Sequence, residues 1–347
     1  MKLMKTTEAV GQVLCHDITQ IIPGVKKDAV FRKGHIITKE DIPVLLSVGK
    51  DTIYIWENDD TMMHENEAAQ VLYSMCACGT ASKMHPSSVK EGKIEVIADC
   101  DGLLKVDSEK LKKVNSFGEM MIATRHGNTI VKKGDKLAGT RIIPLVIKKD
   151  KLETASQICD DGPILDIKPF VVRKAAIITT GNEVYHGRIQ DAFTPVIEKK
   201  IAEFGAQMMF HEVFDDDDKK ITDGCLRAIE AGAEIVFCTG GMSVDPDDKT
   251  PLAIKNTGAR IVSYGSPVLP GAMFLLSYYD AGDRLVPICG LPGCAMYNKR
   301  TIFDIVLPRL MARDMILADE LAGLGEGGLC LNCDVCTFPN CGFGKGF

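Results

Sequence analysis

Ala175-Ala176-Ile177-Ile178-Thr179-Thr180-Gly181-Asn182-Glu183 is one of three stretches built alike, an apolar run of β-forming residues that breaks into a glycine loop. The others are Ile235-Val236-Phe237-Cys238-Thr239-Gly240-Gly241-Met242-Ser243 and Leu285-Val286-Pro287-Ile288-Cys289-Gly290-Leu291-Pro292-Gly293. Helix-like segments lie between them, over residues 194–204 and 221–231, where apolar residues recur at the 3.6-residue period. Strand, glycine loop and helix in repetition predict a parallel sheet covered by helices on both faces, a three-layer, doubly wound α/β domain. Ligands of such domains bind outside the carboxyl ends of the strands, where these loops fall. Glycine lets backbone N–H groups approach an anion, and a following helix adds the positive end of its dipole. Carboxylates stand beside the loops: Glu183 in the first, and Asp245, Asp247 and Asp248 after the second. Backbone donors together with carboxylates suit a ligand that carries both a phosphate and an N–H-rich edge. The acidic run at residues 215–218 precedes a helix starting near Lys219 and reads as its cap, not as a metal site.

The rest of the composition bounds the function. A chain of 347 residues is expected to form two or three domains. Its 46% hydrophobic and 25% charged residues are those of an ordinary globular protein. The formal charge of -6, with no basic block, argues against nucleic acid as the main partner. The most apolar stretch, residues 260–279, is broken by Gly265, Pro267, Pro270 and Gly271 and does not read as a membrane span. The first residues hold no apolar run of the kind an export signal needs. Thirteen cysteines without such a signal point to the reducing cytoplasm and to thiol or metal chemistry.

Residues 1–170 read as an α+β region, with helices over 39–48 and 65–75 and short β-like pieces with glycine turns over 91–147. Arg125 and His126 are its notable polar pair and read as structural. Residues 171–320 form the α/β domain, and 321–347 a glycine- and cysteine-rich tail. In that tail Cys330, Cys333, Cys336 and Cys341 are spaced C-x2-C-x2-C-x4-C, close to the run that holds a [4Fe–4S] cluster. Four thiolates also suit tetrahedral Zn²⁺, and Phe338, Pro339 and Phe343 can shield a metal centre from water. Cys294, after Gly293, is placed where a helix N-terminus would lower a thiol pKa.

The second loop, Thr239-Gly240-Gly241-Met242-Ser243-Val244 followed by Asp248 and Thr250, resembles the signature of molybdopterin-binding proteins of molybdenum cofactor biosynthesis. Thr180-Gly181-Asn182-Glu183, with Gly187-Arg188-Ile189-Gln190-Asp191, is similar to that family's first loop, and Gly290-Leu291-Pro292-Gly293 to its third. Val13-Leu14-Cys15-His16-Asp17-Ile18 and Lys33-Gly34-His35-Ile36-Ile37 resemble the first domain of the molybdopterin molybdenumtransferases. The resemblance implies a domain that binds the phosphate of molybdopterin, or of adenylylated molybdopterin. It implies insertion of molybdate with Mg²⁺, and a homo-oligomer, a dimer in that family. The residues implied to bind are Thr180, Gly181, Asn182, Glu183, Thr239, Gly240, Gly241, Ser243, Asp245, Asp248, Gly290, Pro292 and Gly293. Glu183 and Asp248 are the catalytic candidates.

The chain departs from the transferase pattern in three places. The amino-terminal region lacks the acidic, methionine- and glycine-containing stretch that completes the site across the dimer. Val268-Leu269-Pro270-Gly271-Ala272 stands where two lysines flank a Pro-Gly pair, leaving Lys249 and Lys255 as the nearby cations. The cysteine tail replaces a carboxyl-terminal β domain. A non-catalytic cofactor binder or chaperone serving a client molybdoenzyme is therefore the alternative expectation, and a nucleotide-binding enzyme sharing only the fold a third.

Overall fold

The structure is a computed structural model that describes residues 2–22, 26–55, 59–78 and 83–346. They pack as two units. One comprises Met1–Cys100, Val106–Arg125 and Lys133–Asp166; the other gathers Asp101–Lys105, His126–Lys132 and Ile167–Phe347. Among the described residues no helix is long and apolar enough to cross a membrane.

The first unit is α+β. The strand Lys2–Lys5 pairs antiparallel with Thr52–Ile55, and with the helix Asp41–Ser47 it encloses Leu14, Ile18, Ile37, Leu45 and Ile53. Further along, Glu65–Ala77 forms a helix against an antiparallel sheet of Met84–Pro86, Lys93–Ala98, Lys136–Ile142 and Met120–Thr124. Burial alternates along Lys93–Ala98 because only one face of this sheet is covered. Arg125 pairs with Asp135 at 2.8 Å, a structural role.

The second unit is built on a six-stranded sheet. Its strands are β1 (Lys174–Thr180), β2 (Gln207–Phe214), β3 (Ile235–Thr239), β4 (Arg260–Tyr264), β5 (Leu275–Asp280) and β6 (Leu285–Leu291). Their spatial order is β2-β1-β3-β6-β5-β4. The first four in that order are parallel; β5 alone is reversed, antiparallel to both β6 and the edge strand β4. The helices are α1 (Asn182–Tyr185), α2 (Phe193–Ala202), α3 (Asp218–Glu230), α4 (Thr250–Asn256) and α5 (Ile302–Met311).

Both faces of the sheet are apolar, which is why β1, β3 and β6 read as unbroken hydrophobic runs. Alternate residues serve opposite faces. Ile177, Ile235, Phe237 and Leu291 meet Ile197 and Ile201 of α2 and Phe303 and Leu307 of α5. Ala176, Ile178, Val236, Cys238 and Ile288 meet Ile221 and Cys225 of α3 and Ala253 and Ile254 of α4. Helix, sheet and helix make three layers. The antiparallel edge is a departure from an all-parallel expectation. Gly265, Pro267, Pro270 and Gly271 lie in the connection that turns the chain back between β4 and β5.

Candidate functional site

The order β2-β1-β3 contains a switch point. The chain leaves β1 to one side to form β2, then returns to the other side of β1 to form β3. Connections that depart in opposite directions open a crevice at the carboxyl ends of the two strands, and ligands of doubly wound domains bind there. The first and second glycine loops leave those two strand ends.

The two loops are locked together by hydroxyls. Thr180 Oγ1 donates to the Thr239 carbonyl at 3.1 Å and lies 3.0 Å from Thr250 Oγ1. Thr250 Oγ1 donates to the Gly240 carbonyl at 2.9 Å, and its amide to the Gly241 carbonyl at 3.2 Å. The loops touch so closely that a Cβ on Gly240 would sit 2.1 Å from the Thr180 carbonyl oxygen. Gly240 also has φ +83°, a conformation that costs an L side chain strain. Thr239 Oγ1 is buried and unpartnered at the same place.

Around this junction stands a group of carboxylates. Glu183 is exposed on α1, and its Oε2 lies near Gly181. Asp248 accepts from the Asp245 amide at 3.1 Å, while the Asp248 amide donates to the Asp245 carbonyl at 2.9 Å. This reciprocal turn holds Asp248 in place. Asp216 accepts from the Asn182 amide at 3.2 Å. Burial, joined by the charges of Glu183, Asp247 and Asp248, raises the Asp216 carboxyl above its ordinary value although the Asn182 amide pulls it down. Burial and the Asp248 charge likewise raise the Tyr264 hydroxyl. Four carboxylates from three segments thus share one field.

Asp216 was not expected here. Asp217 is the cap of α3, accepting from the Lys219 and Lys220 amides at 3.0 and 3.2 Å, as the acidic run predicted. One residue earlier, Asp216 leaves the end of β2 and faces the first loop instead. Asp191, which ends the first-loop motif, takes a positioning role. It accepts from Thr179 Oγ1 at 2.9 Å and from the Phe193 amide at 2.8 Å, fixing the start of α2 beside β1.

The other candidates divide by burial. Asn182 is half-buried; Ser243, Asp245 and Gly293 are exposed; Gly240 and Gly241 are partly so. Thr180, Gly181, Thr239 and Pro292 are buried and support the loops from beneath. Gly290 is paired within the sheet on both sides, and a Cβ there would meet Met242 Sδ at 2.5 Å. Its place is in the packing under the second loop. The third loop continues as a 3-10 turn, Gly293–Met296, not a helix. Burial accordingly raises the Cys294 thiol instead of letting a helix dipole lower it.

The tail belongs to the same unit. Phe343 is buried in the core cluster that holds Phe303 and Leu307, with Phe338 and Cys341 packed against it. Leu269 donates to the Gly328 carbonyl and accepts from the Cys330 amide, both at 2.8 Å. The loop over residues 268–272 is therefore clasped by the tail, and Leu269 is exposed on it. A short helix, Ala318–Ala322, precedes the tail. Cys330, Cys333, Cys336 and Cys341 all line one cavity of about 430 Å³. The Phe338 amide, with the Arg300 guanidinium and Lys299, holds the Cys336 thiol below its ordinary value against the effect of burial. Among the described residues, no three His, Cys, Asp or Glu side chains are gathered as a ready metal cage, either here or at the loops.

Close-packed glycine loops and carboxylates meet at the switch point of a doubly wound α/β domain, the place where domains of this class bind small molecules. Residues 176–312 match the family model described as "Probable molybdopterin binding domain". Residues 3–57 match a family described as a domain of unknown function. Among curated proteins, a molybdopterin molybdenumtransferase from Nostoc sp. is 23% identical over 230 residues, 64% of this chain and 50% of its own length. A Bacillus subtilis protein named "Putative competence-damage inducible protein" is 30% identical over 88 residues, 25% of this chain and 21% of its own length. The alignments thus span between a fifth and a half of these two relatives. The tungsten cofactor synthesizing protein MoaB from Pyrococcus furiosus aligns over 40% of this chain and 88% of its own, with 19% identity and a TM-score of 0.32.

Proposed function

We propose that the crevice between the first two loops binds molybdopterin, free or adenylylated, and that the chain acts in molybdenum cofactor biosynthesis. The observation that carries this reading is the meeting of glycine amides and carboxylates at the β1/β3 switch point, inside the segment that matches the molybdopterin-binding family. The amides of Gly240, Gly241 and Gly293 would hold the phosphate, since loop N–H groups bind anions without a side chain between them. Glu183 and Asp248 would accept the N–H groups of the aminopyrimidine edge, and Asn182, Ser243 and Asp245 border the same crevice.

Mg²⁺ suits this donor set. It takes oxygen ligands, keeps several waters, and binds through one or two carboxylates plus substrate phosphates instead of a complete protein cage. Asp247 would hold it together with the phosphate, and a cation there would offset the Glu183, Asp247 and Asp248 charges, which add to burial in raising Asp216. Bound there, Mg²⁺ would neutralise the negative charge of the phosphate. Glu183 and Asp248 then orient the pterin while molybdate enters as substrate. Thirteen free thiols fit a reducing, cytoplasmic setting.

One observation favours a second reading, a non-catalytic binder that hands cofactor to a client molybdoenzyme. The clasped loop at Leu269 offers an apolar side chain where a cation would hold molybdate. A reconstituted assay with adenylylated pterin, Mg²⁺ and molybdate separates the two: conversion supports the transferase, binding without conversion the carrier. Binding itself is tested by calorimetry. Each charge-assisted hydrogen bond is worth about 1.5–3 kcal/mol, so Glu183→Gln and Asp248→Asn should each weaken pterin binding about tenfold or more. Unchanged affinity in both, with the fold intact, removes these carboxylates from the site.

A further inference from the structure

We propose that Cys330, Cys333, Cys336 and Cys341 hold a metal centre through four thiolates, with an iron–sulfur cluster as the occupant that the cavity favours. The four residues fall within twelve positions of the chain, and all four line one cavity of about 430 Å³. None is in a disulfide. The segment between them has no helix or strand, yet both of its ends are fixed. Leu329 bridges to Leu269 at one end, and Phe343 is buried in the core of the domain at the other. A loop so anchored, with four cysteines lining one space, is suited to chelate a metal.

The surroundings match the charge and polarity of such a centre. Four thiolates around Zn²⁺ or a [4Fe–4S] core carry a net negative charge. Lys299 and Arg300 stand on the cavity wall to meet it. Arg300 is held there by Asp304 at 2.8 Å and by the Phe338 ring, 5.1 Å from the guanidinium. Phe338 and Phe343 supply an apolar wall that restricts water.

Size favours the larger of the two centres. A single zinc ion needs its sulfurs about 2.3 Å away, hence nearly in contact with one another. Among the described residues no three of these cysteines stand that close, so either metal would have to draw the loop in around it, a single zinc ion more than a cluster. A cubane of iron and sulfide spans more of the cavity and is ligated by more widely spread thiolates, as the compact C-x2-C-x2-C start also suggests. Arg300 also links the site to the third glycine loop, because the residues from Tyr297 to Arg300 continue directly from its 3-10 turn.

The test uses the full chain purified anaerobically, then repeated after incubation with ferrous iron and sulfide. Iron and acid-labile sulfide in equal amounts, with visible sulfur-to-iron absorption, support the cluster. Cys333→Ser and Cys336→Ser alter exposed side chains and should lower bound iron about tenfold without changing the far-ultraviolet circular dichroism. Cys78→Ser, in the other unit, should leave it unchanged. One zinc per chain, colourless and lost in the same variants, keeps the four-thiolate site and overturns the cluster. Neither iron nor zinc bound, or metal retained in the Cys333→Ser/Cys336→Ser double variant, overturns the site itself.

Discussion

Gly240→Ala is expected to separate the first two loops and to abolish ligand binding at the switch point. The new methyl carbon would fall 2.1 Å from the Thr180 carbonyl oxygen, and that oxygen is backbone at the end of a central strand, so it cannot turn aside. Overpacking against a fixed group and a left-handed alanine together cost about 2–4 kcal/mol. The Thr180–Thr239 and Thr250–Gly240 bonds would be lost with the displacement, and with them the position of the Asp248 turn. Gly187→Ala is the matched control. Gly187 also has positive φ, but a Cβ there meets nothing within 4 Å, so it should cost only about 1 kcal/mol of backbone strain. Urea denaturation with calorimetric titration checks both. Equal destabilisation by the two substitutions would mean that loop contact is not what Gly240 protects.

Asp314→Ala is the second large effect, and it acts on stability. Asp314 is buried and accepts from Lys168 Nζ at 2.6 Å, Arg309 Nε at 2.6 Å and Lys105 Nζ at 2.8 Å. Arg309, itself buried, also reaches Glu320 at 2.8 Å. Removing the carboxylate leaves cations facing one another in a desolvated site, a change that costs about 3–5 kcal/mol. Burial by itself would raise the Asp314 carboxyl, but hydrogen bonds from Lys105 and Lys168 and the Arg309 charge prevail and bring it to about 2. The folded value is below the unfolded one. The contribution is therefore complete above the ordinary aspartate pKa of about 3.9, and fades as pH falls from there through the folded value near 2. The denaturation midpoint of the wild type should drop over that interval, and that of Asp314→Ala should drop less. A parallel fall in both proteins would show that another group governs acid unfolding.

Much of the second unit was legible in the sequence because its strands are buried on both faces. Such strands appear as continuous apolar runs, and the glycines mark where they end. Helix bounds were less sharp. The periodic segment 221–231 is the apolar part of α3, which begins at Asp218 because Asp217 caps it, and a polar first turn leaves no periodic trace. The antiparallel edge was present as the apolar stretch 260–279. Its glycines and prolines told against a membrane span but not which way the second strand ran.

Asp216 illustrates what a run of like residues conceals. Four consecutive aspartates point in different directions at a strand exit, and only Asp217 caps the helix. Gly290 shows the converse, since a glycine in the right motif packs beneath the loop it was expected to serve. The tail docks through Phe343 and Phe338 and through backbone bonds to Leu269, in a glycine-rich segment that has no periodicity to reveal it.

The central claim is that the crevice between β1 and β3 holds molybdopterin. The most direct measurement is native mass spectrometry of the chain purified anaerobically from cells grown with molybdate. The account predicts a bound species with the mass of free, adenylylated or metallated molybdopterin. It should be released on denaturation and recovered as a pterin by its fluorescence after oxidation, and it should be missing from Gly240→Ala. A well-folded wild-type chain that carries no pterin, and takes up none when molybdopterin is supplied, would contradict it.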